Sequence, residues 1–127
     1  MKFSSRTAFV LLGGIALGAV TSQALFAQAK PPAFVVVAIR KINDADAFKA
    51  GVVDKTSPAA LAQAGGKYVV RSQNPIGLDG TPPQRFVLIA FDSVEKAKAW
   101  DSSAAQKEIT AARIKSTDSL SFIVEGM

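Results

Sequence analysis

The chain has 127 residues and a formal net charge of +5, and it contains no histidine and no cysteine. Without histidine it lacks the commonest general base and metal ligand, and without cysteine it lacks thiolate nucleophiles, disulfides and iron-sulfur ligands. At this length one domain is the limit.

Residues 1–7 carry Lys2 and Arg6 without an acid, residues 8–20 form an apolar run, and Ala27, Gln28 and Ala29 supply small residues around a cleavable bond. This pattern predicts a secretory signal peptide over residues 1–29, cut after Ala29. The apolar run is shorter than the roughly 20 residues that span a bilayer core, so no stable membrane insertion is expected after cleavage. Removing 29 of 127 residues leaves 98, and losing Lys2 and Arg6 lowers the formal charge from +5 to +3. The expected product is an exported, periplasmic or extracellular domain of residues 30–127, the alternative being an uncut N-terminal membrane anchor, and with no cystine its stability comes from burial.

Residues 33–39 are an unbroken run of β-branched, aromatic and small apolar side chains, which predicts a buried strand. Asn43 is placed to cap the helix that follows, with Asp44 and Asp46 in its first turn and Ala45, Phe48 and Val52 along one face. Ser57 and Pro58 signal a break and a new helical start, and Gly65 with Gly66 supplies the stop. A second strand follows over residues 67–72. Residues 73–84, rich in Pro, Gly and Asn, form a long connection of the kind that often carries function. Residues 85–91 are the third and most hydrophobic strand. Asp92 and Glu95 form a capping-box-like pair before Val94, Ala97 and Trp100. Ser103 with Gln106 marks a second start, continued by Ile109 and Ala112. Residues 120–124 close the chain as a fourth strand.

The order strand, broken helix, strand, strand, broken helix, strand predicts an α+β, ferredoxin-like βαββαβ domain: a four-stranded antiparallel sheet with both helical regions on one face. A sheet with water on its second face alternates apolar and polar residues, and these strands do not. Phe34, Val36 and Ala38 oppose Val35, Val37 and Ile39; Phe86, Leu88 and Ala90 oppose Val87, Ile89 and Phe91. At ~25 cal/mol per Å² a partner covering the second face gains several kcal/mol, so a homodimer with sheets packed face to face is expected.

Three stretches in this order carry a family resemblance. Gly65, Gly66, Lys67, Tyr68, Val69, Val70 and Arg71 resemble a Gly-Gly-basic-aromatic-apolar-apolar-Arg strand entry. Pro82, Pro83, Gln84 and Arg85 resemble a Pro-Pro-x-Arg lead into the central strand. Residues 100–106 are similar to an aromatic-Asn-Ser-Pro-x-Tyr-Gln segment, with Asp101, Ser103 and Ala105 in place of Asn, Pro and Tyr. The family is the one catalogued as domain of unknown function 1330, within the dimeric α+β barrel group. The resemblance implies a ferredoxin-like subunit that pairs into a barrel. Its wider relatives include cofactor-independent monooxygenases, muconolactone isomerase and stress-response dimers, which implies a small-molecule pocket without selecting a reaction.

Four residues are candidates for ligand contact. Arg71 ends a strand beside the long connection, where a guanidinium holds a carboxylate or enolate through paired hydrogen bonds; a strand-end salt bridge is its other role. Trp100 shapes a pocket or fills the core. Tyr68 has the chain's one phenol, and packing is its alternative role. Arg40 is the fourth, although, as for Arg85, its strand-end position also suits solvent or a dimer rim. The acid pairs Asp44 with Asp46 and Asp92 with Glu95 fall at helix starts and read as caps. No calcium loop, phosphate loop, nucleophile elbow or dinucleotide fingerprint is present, so no metal and no cofactor are expected. Scattered basic residues and a +3 domain do not suggest nucleic-acid binding. Two functions stay open: a noncatalytic module holding a small apolar or acidic organic ligand in a pocket bounded by sheet, helices and residues 73–84, or a cofactor-independent isomerase or monooxygenase-like enzyme in which Arg71 stabilises an anionic intermediate.

Overall fold

Residues 30–127 are described by a computed structural model, and the signal peptide expected over residues 1–29 lies outside the described residues. The β-branched run becomes β1 (Ala33–Ile42), which pairs antiparallel on one side with β3 (Arg85–Phe91) and on the other with β4 (Thr117–Glu125). β2 (Lys67–Ser72) joins the outer side of β3, giving the order β2-β3-β1-β4. The crossover from β1 to β2 skips β3, and that from β3 to β4 skips β1. These interleaved crossovers define the ferredoxin-like α+β fold expected from the sequence.

Both helical regions are broken. The first contains α1 (Ala45–Phe48), a π-helical turn (Lys49–Val53) and α2 (Pro58–Gln63); the second contains α3 (Val94–Asp101) and α4 (Ala104–Ser116). Ser57 caps α2 by accepting from the Ala60 N–H, with Pro58 at the first position, where its missing N–H costs nothing. Ser103 forms the joint between α3 and α4. Its hydroxyl donates to the Trp100 carbonyl at 2.7 Å and accepts from the Gln106 N–H at 3.3 Å.

Two caps lie one residue beyond the expected positions. Asp44, not Asn43, accepts from the Ala47 N–H at 3.0 Å, Asp44 being the last extended residue before the helix, and the N–H groups of both residues bond to the Ser116 carbonyl. Ser93, not Asp92, caps α3 by accepting from the Lys96 N–H, which leaves Asp92 to pair with the Lys96 ammonium at 3.1 Å. The fourth strand also starts earlier than its apolar run. α4 passes directly into β4 at Thr117, without a glycine stop. Ser116 and Thr117 are both buried there, and their hydroxyls donate to the carbonyls of Ala112 and Arg113, satisfying groups the helix end leaves open.

The core lies between the helices and one sheet face. Ala33, Val35, Ile89 and Phe91 from the central strands meet Leu61 of α2 and Ala97 of α3, all 3% exposed or less. Gly65 and Gly66 stop α2 as a Schellman pair. Gly65 has φ +85°, its N–H donates to the Ala62 carbonyl, and the Gly66 N–H reaches the Leu61 carbonyl at 2.9 Å. A Cβ on Gly66 would lie 2.5 Å from Leu61 Cδ1 and 2.8 Å from Phe91 Cζ.

The opposite face carries Phe34, Val36 and Ala38 on β1, Phe86, Leu88 and Ala90 on β3, and Leu120, Phe122 and Val124 on β4, in register across the three strands. No described helix packs there, and Phe122 and Val124 remain 44% and 40% exposed. Gly66→Ala tests the packed face: overpacking against Leu61 and Phe91 is expected to destabilise the fold by about 1–3 kcal/mol, read as a lower urea midpoint with an unchanged slope.

Candidate functional site

A cavity of about 390 Å³ opens between the helix-side face of the sheet and the helical layer. Its floor comes from Val37 and Ile39 of β1, Val87 of β3, and Tyr68 and Arg71 of β2; Phe48, Val52, Trp100 and Ile109 form much of the wall. The apolar part of this lining arises because the same side chains that drive sheet-helix packing border the space where the packing stops.

Arg71 reaches the cavity through a break in strand alternation. Regular period-two alternation puts Tyr68 and Val70 on one face and Arg71 on the other. Instead, β2 bulges between Tyr68 and Val70: Tyr68 lies opposite Ile89, Val70 opposite Leu88 and Arg71 opposite Val87. The extra residue, Val69, returns Arg71 to the face of Tyr68, Val87 and Ile89. There the Arg71 guanidinium carbon sits 4.5 Å from the Tyr68 ring centroid. Arg85, at the start of β3, takes a similar position 5.2 Å from the Phe48 ring centroid. Both are cation-π arrangements, with the guanidinium carbon within about 6 Å of a ring centroid.

Arg113 of α4 is a third cationic group on the lining, and its Nη1 donates to the Ser119 hydroxyl at 2.6 Å. Burial pulls Arg113 below its ordinary pKa, and the Asp101 carboxylate opposes that shift. Lys55 also lines the cavity, whereas no Asp or Glu does. The ion pairs Arg40–Asp118, Lys49–Asp54 and Lys96–Asp92 all lie elsewhere, on exposed side chains.

Of the four sequence candidates, the structure brings Arg71, Tyr68 and Trp100 to one cavity. Trp100 combines both of its expected roles, packing against Phe91 with centroids 5.5 Å apart while bordering the space. Arg40 is not part of it: it lies beyond the cavity wall, 59% exposed and 3.4 Å from Asp118. A bulge between Ile39 and Lys41 in the β1–β4 register accompanies this outward position. From the 73–84 connection only Gln73 reaches the lining, while Ile76 and Leu78 stand in solvent. Sequence reasoning set Arg85 at a rim and passed over Arg113. The available signal for Arg113 was helical spacing, since Gln106, Ile109 and Arg113 recur at i, i+3 and i+7 on one face of α4, and all three line the cavity.

Ala105 also borders the cavity, at the position where the resemblance places a tyrosine, so the smaller side chain leaves space there. Among the described residues no group of three or more His, Cys, Asp or Glu side chains is placed to hold a metal ion, and no helix is long and apolar enough to cross a membrane.

Burial pushes the Tyr68 phenol above its ordinary 10.0, and the neighbouring Arg71 charge offsets part of that rise. Tyr68 is the only tyrosine, so absorbance of the phenolate reports it alone. Its midpoint is expected above 10 in the folded protein, and higher still in Arg71→Met, which removes the favourable charge. The folded pKa exceeds the unfolded one. Stability from this group is therefore undiminished below pH 10 and declines as pH rises through the folded value.

Residues 32–127 match the family described as Domain of unknown function (DUF1330), and the chain belongs to that family. Among solved structures it is similar to a protein of unknown function from Rhodopseudomonas palustris, with 18% identity, a TM-score of 0.60, and coverage of 82% of this chain and 92% of that one. It is also similar to SnoaB, a cofactor-independent oxygenase from Streptomyces nogalater, with 11% identity, a TM-score of 0.51, and coverage of 76% and 94%. These likenesses share the fold. No curated protein matches the chain.

Proposed function

We propose that this DUF1330 member is an exported, periplasmic homodimer that binds a small organic ligand in the cavity between its sheet and helices. The observation that carries the binding reading is the cavity itself. It has about 390 Å³ of space lined by apolar side chains of the sheet and helices together with three arginines, and so combines the apolar surface and placed polar groups that ligand sites use. The pairing reading is supported by the uncovered sheet face. Nine apolar side chains of β1, β3 and β4 share it, and at ~25 cal/mol per Å² covering several hundred Å² is worth several kcal/mol. Export is supported by the basic, apolar and small-residue sequence of residues 1–29.

The second reading is a cofactor-independent enzyme that uses Arg71 to stabilise an anionic intermediate. It is favoured by the position of Arg71 on the cavity lining, and the fold shared with a cofactor-independent oxygenase is consistent with it. Against it, the lining supplies no histidine, thiol or carboxylate as a base, and the Tyr68 phenol is shifted away from neutral pH. Binding without turnover is therefore the better-supported function.

An Arg71→Ala variant separates the two readings: weaker ligand retention alone supports a binding module, whereas loss of turnover of an identified substrate supports the enzyme. Native mass spectrometry of protein recovered from the cell envelope is expected to find chains beginning at Lys30 and assembled in pairs. In sedimentation at micromolar concentration, Phe122→Glu should shift those pairs to single subunits, since a carboxylate placed within an apolar contact loses its hydration. Single subunits in the unsubstituted protein would exclude the pairing.

A further inference from the structure

Two of the cationic groups on the cavity lining, Arg71 and Arg85, have no ion pair with a described residue. Arg71 lies opposite Val87 in the β2–β3 register, and Arg85 is two residues from Val87 on the same strand face. They are thus diagonal cross-strand neighbours, a relation that sets Cβ atoms roughly 7–8 Å apart or somewhat less. Like charges at that separation repel, and Arg71 is exposed to solvent while Arg85 is half-buried. Here neither guanidinium has an ion pair or hydrogen bond with a described residue, and no carboxylate reaches the lining. Each guanidinium carbon lies over an aromatic ring, Arg71 at 4.5 Å from Tyr68 and Arg85 at 5.2 Å from Phe48, and a ring face takes up none of the N–H donors as an acid would.

A third feature has the same sign. The N-terminal turn of α4, a helix of 13 residues, contributes Ser103, Ala105 and Gln106 to the wall, and a helix start carries a partial positive charge. The resting cavity is therefore positive on an apolar base.

We infer that the ligand is a small carboxylic acid in its ionised form, with the carboxylate held by Arg71 and Arg85 and an apolar or aromatic body against Trp100 and Ile109. This rests on the ligand-binding reading above and names the class of ligand for that site. A planar carboxylate matches the planar fork of a guanidinium, and the apolar floor needs a hydrocarbon body that inorganic anions lack. A volume of about 390 Å³ suits a single ring or a short branched chain.

The test uses the purified full-length protein and the fluorescence of Trp100, its only tryptophan. Benzoate with benzamide, phenylacetate with phenylacetamide, and hexanoate with hexanamide form acid and amide pairs of nearly equal shape. At least one acid is expected to bind about tenfold more tightly than its amide, with affinity falling as salt is raised. Arg71→Gln and Arg85→Gln should each remove that preference while leaving the weak binding of the amide. Comparing each pair on the unsubstituted protein needs no variant, so it decides the matter even if a substitution impairs folding. Equal binding of acid and amide in every pair overturns the carboxylate inference and leaves the cavity reading intact. Failure of every acid and every amide to bind overturns both. Inorganic phosphate binding as tightly as the best acid overturns the choice of a planar carboxylate with an apolar body.

Discussion

The structure depends on the burial of the central strand pair, β1 and β3. Their side chains are apolar on both sides, and the helical layer covers only one. On the covered side Val35 and Ile89 pack with Leu61 and Ala97, and this contact holds the interleaved crossovers onto the sheet. With no cystine available, side-chain burial carries the stability that small exported domains often draw from cross-links. The same interactions create the cavity. Ala97 of α3 is fully buried against the sheet, whereas Val52 of the π-helical turn and Ile109 of α4 border the open space.

Into that space the fold directs charge through a local irregularity. A strand that kept strict alternation would turn Arg71 toward the uncovered face, among the apolar side chains of β3. One added residue, Val69, reverses this and places the guanidinium on Tyr68. Arg85 reaches the same cavity through ordinary alternation from β3, and Arg113 from the inner face of α4. Three separate elements thus contribute like charge to one volume, while the acids of the chain lie outside it, several of them at helix starts or in surface pairs.

The architecture was legible in the sequence because its signals are periodic and strong. The apolar runs locate all four strands, and Ser57, Ser103 and the Gly65–Gly66 pair mark the helix breaks and stop as observed. Boundaries shifted where a polar side chain or backbone group had two available partners. Capping fell to Asp44, whose side chain accepts from the Ala47 N–H, while both the Asn43 and Asp44 N–H groups bond to the Ser116 carbonyl; Thr117 entered the sheet with its hydroxyl donating to the Arg113 carbonyl at the end of α4. The site was less legible. Arg71, Tyr68 and Trp100 converge, but Arg40 and Arg85, both at strand ends, separate: one meets Asp118 in solvent and the other lies over Phe48. Strand-end position alone does not reveal the face, which depends on register and on bulges that only the assembled sheet defines.

The irregularity at Val69 has a second effect. Among the described residues β2 forms a margin of the sheet, with no strand paired on its outer side. A straight margin of this kind serves as a template on which other chains can add strand by strand. The kink at Val69 interrupts that template, and Lys67 and Arg71 flank it with charge. The feature that turns Arg71 toward the cavity thus also breaks the regularity that edge-to-edge strand addition requires.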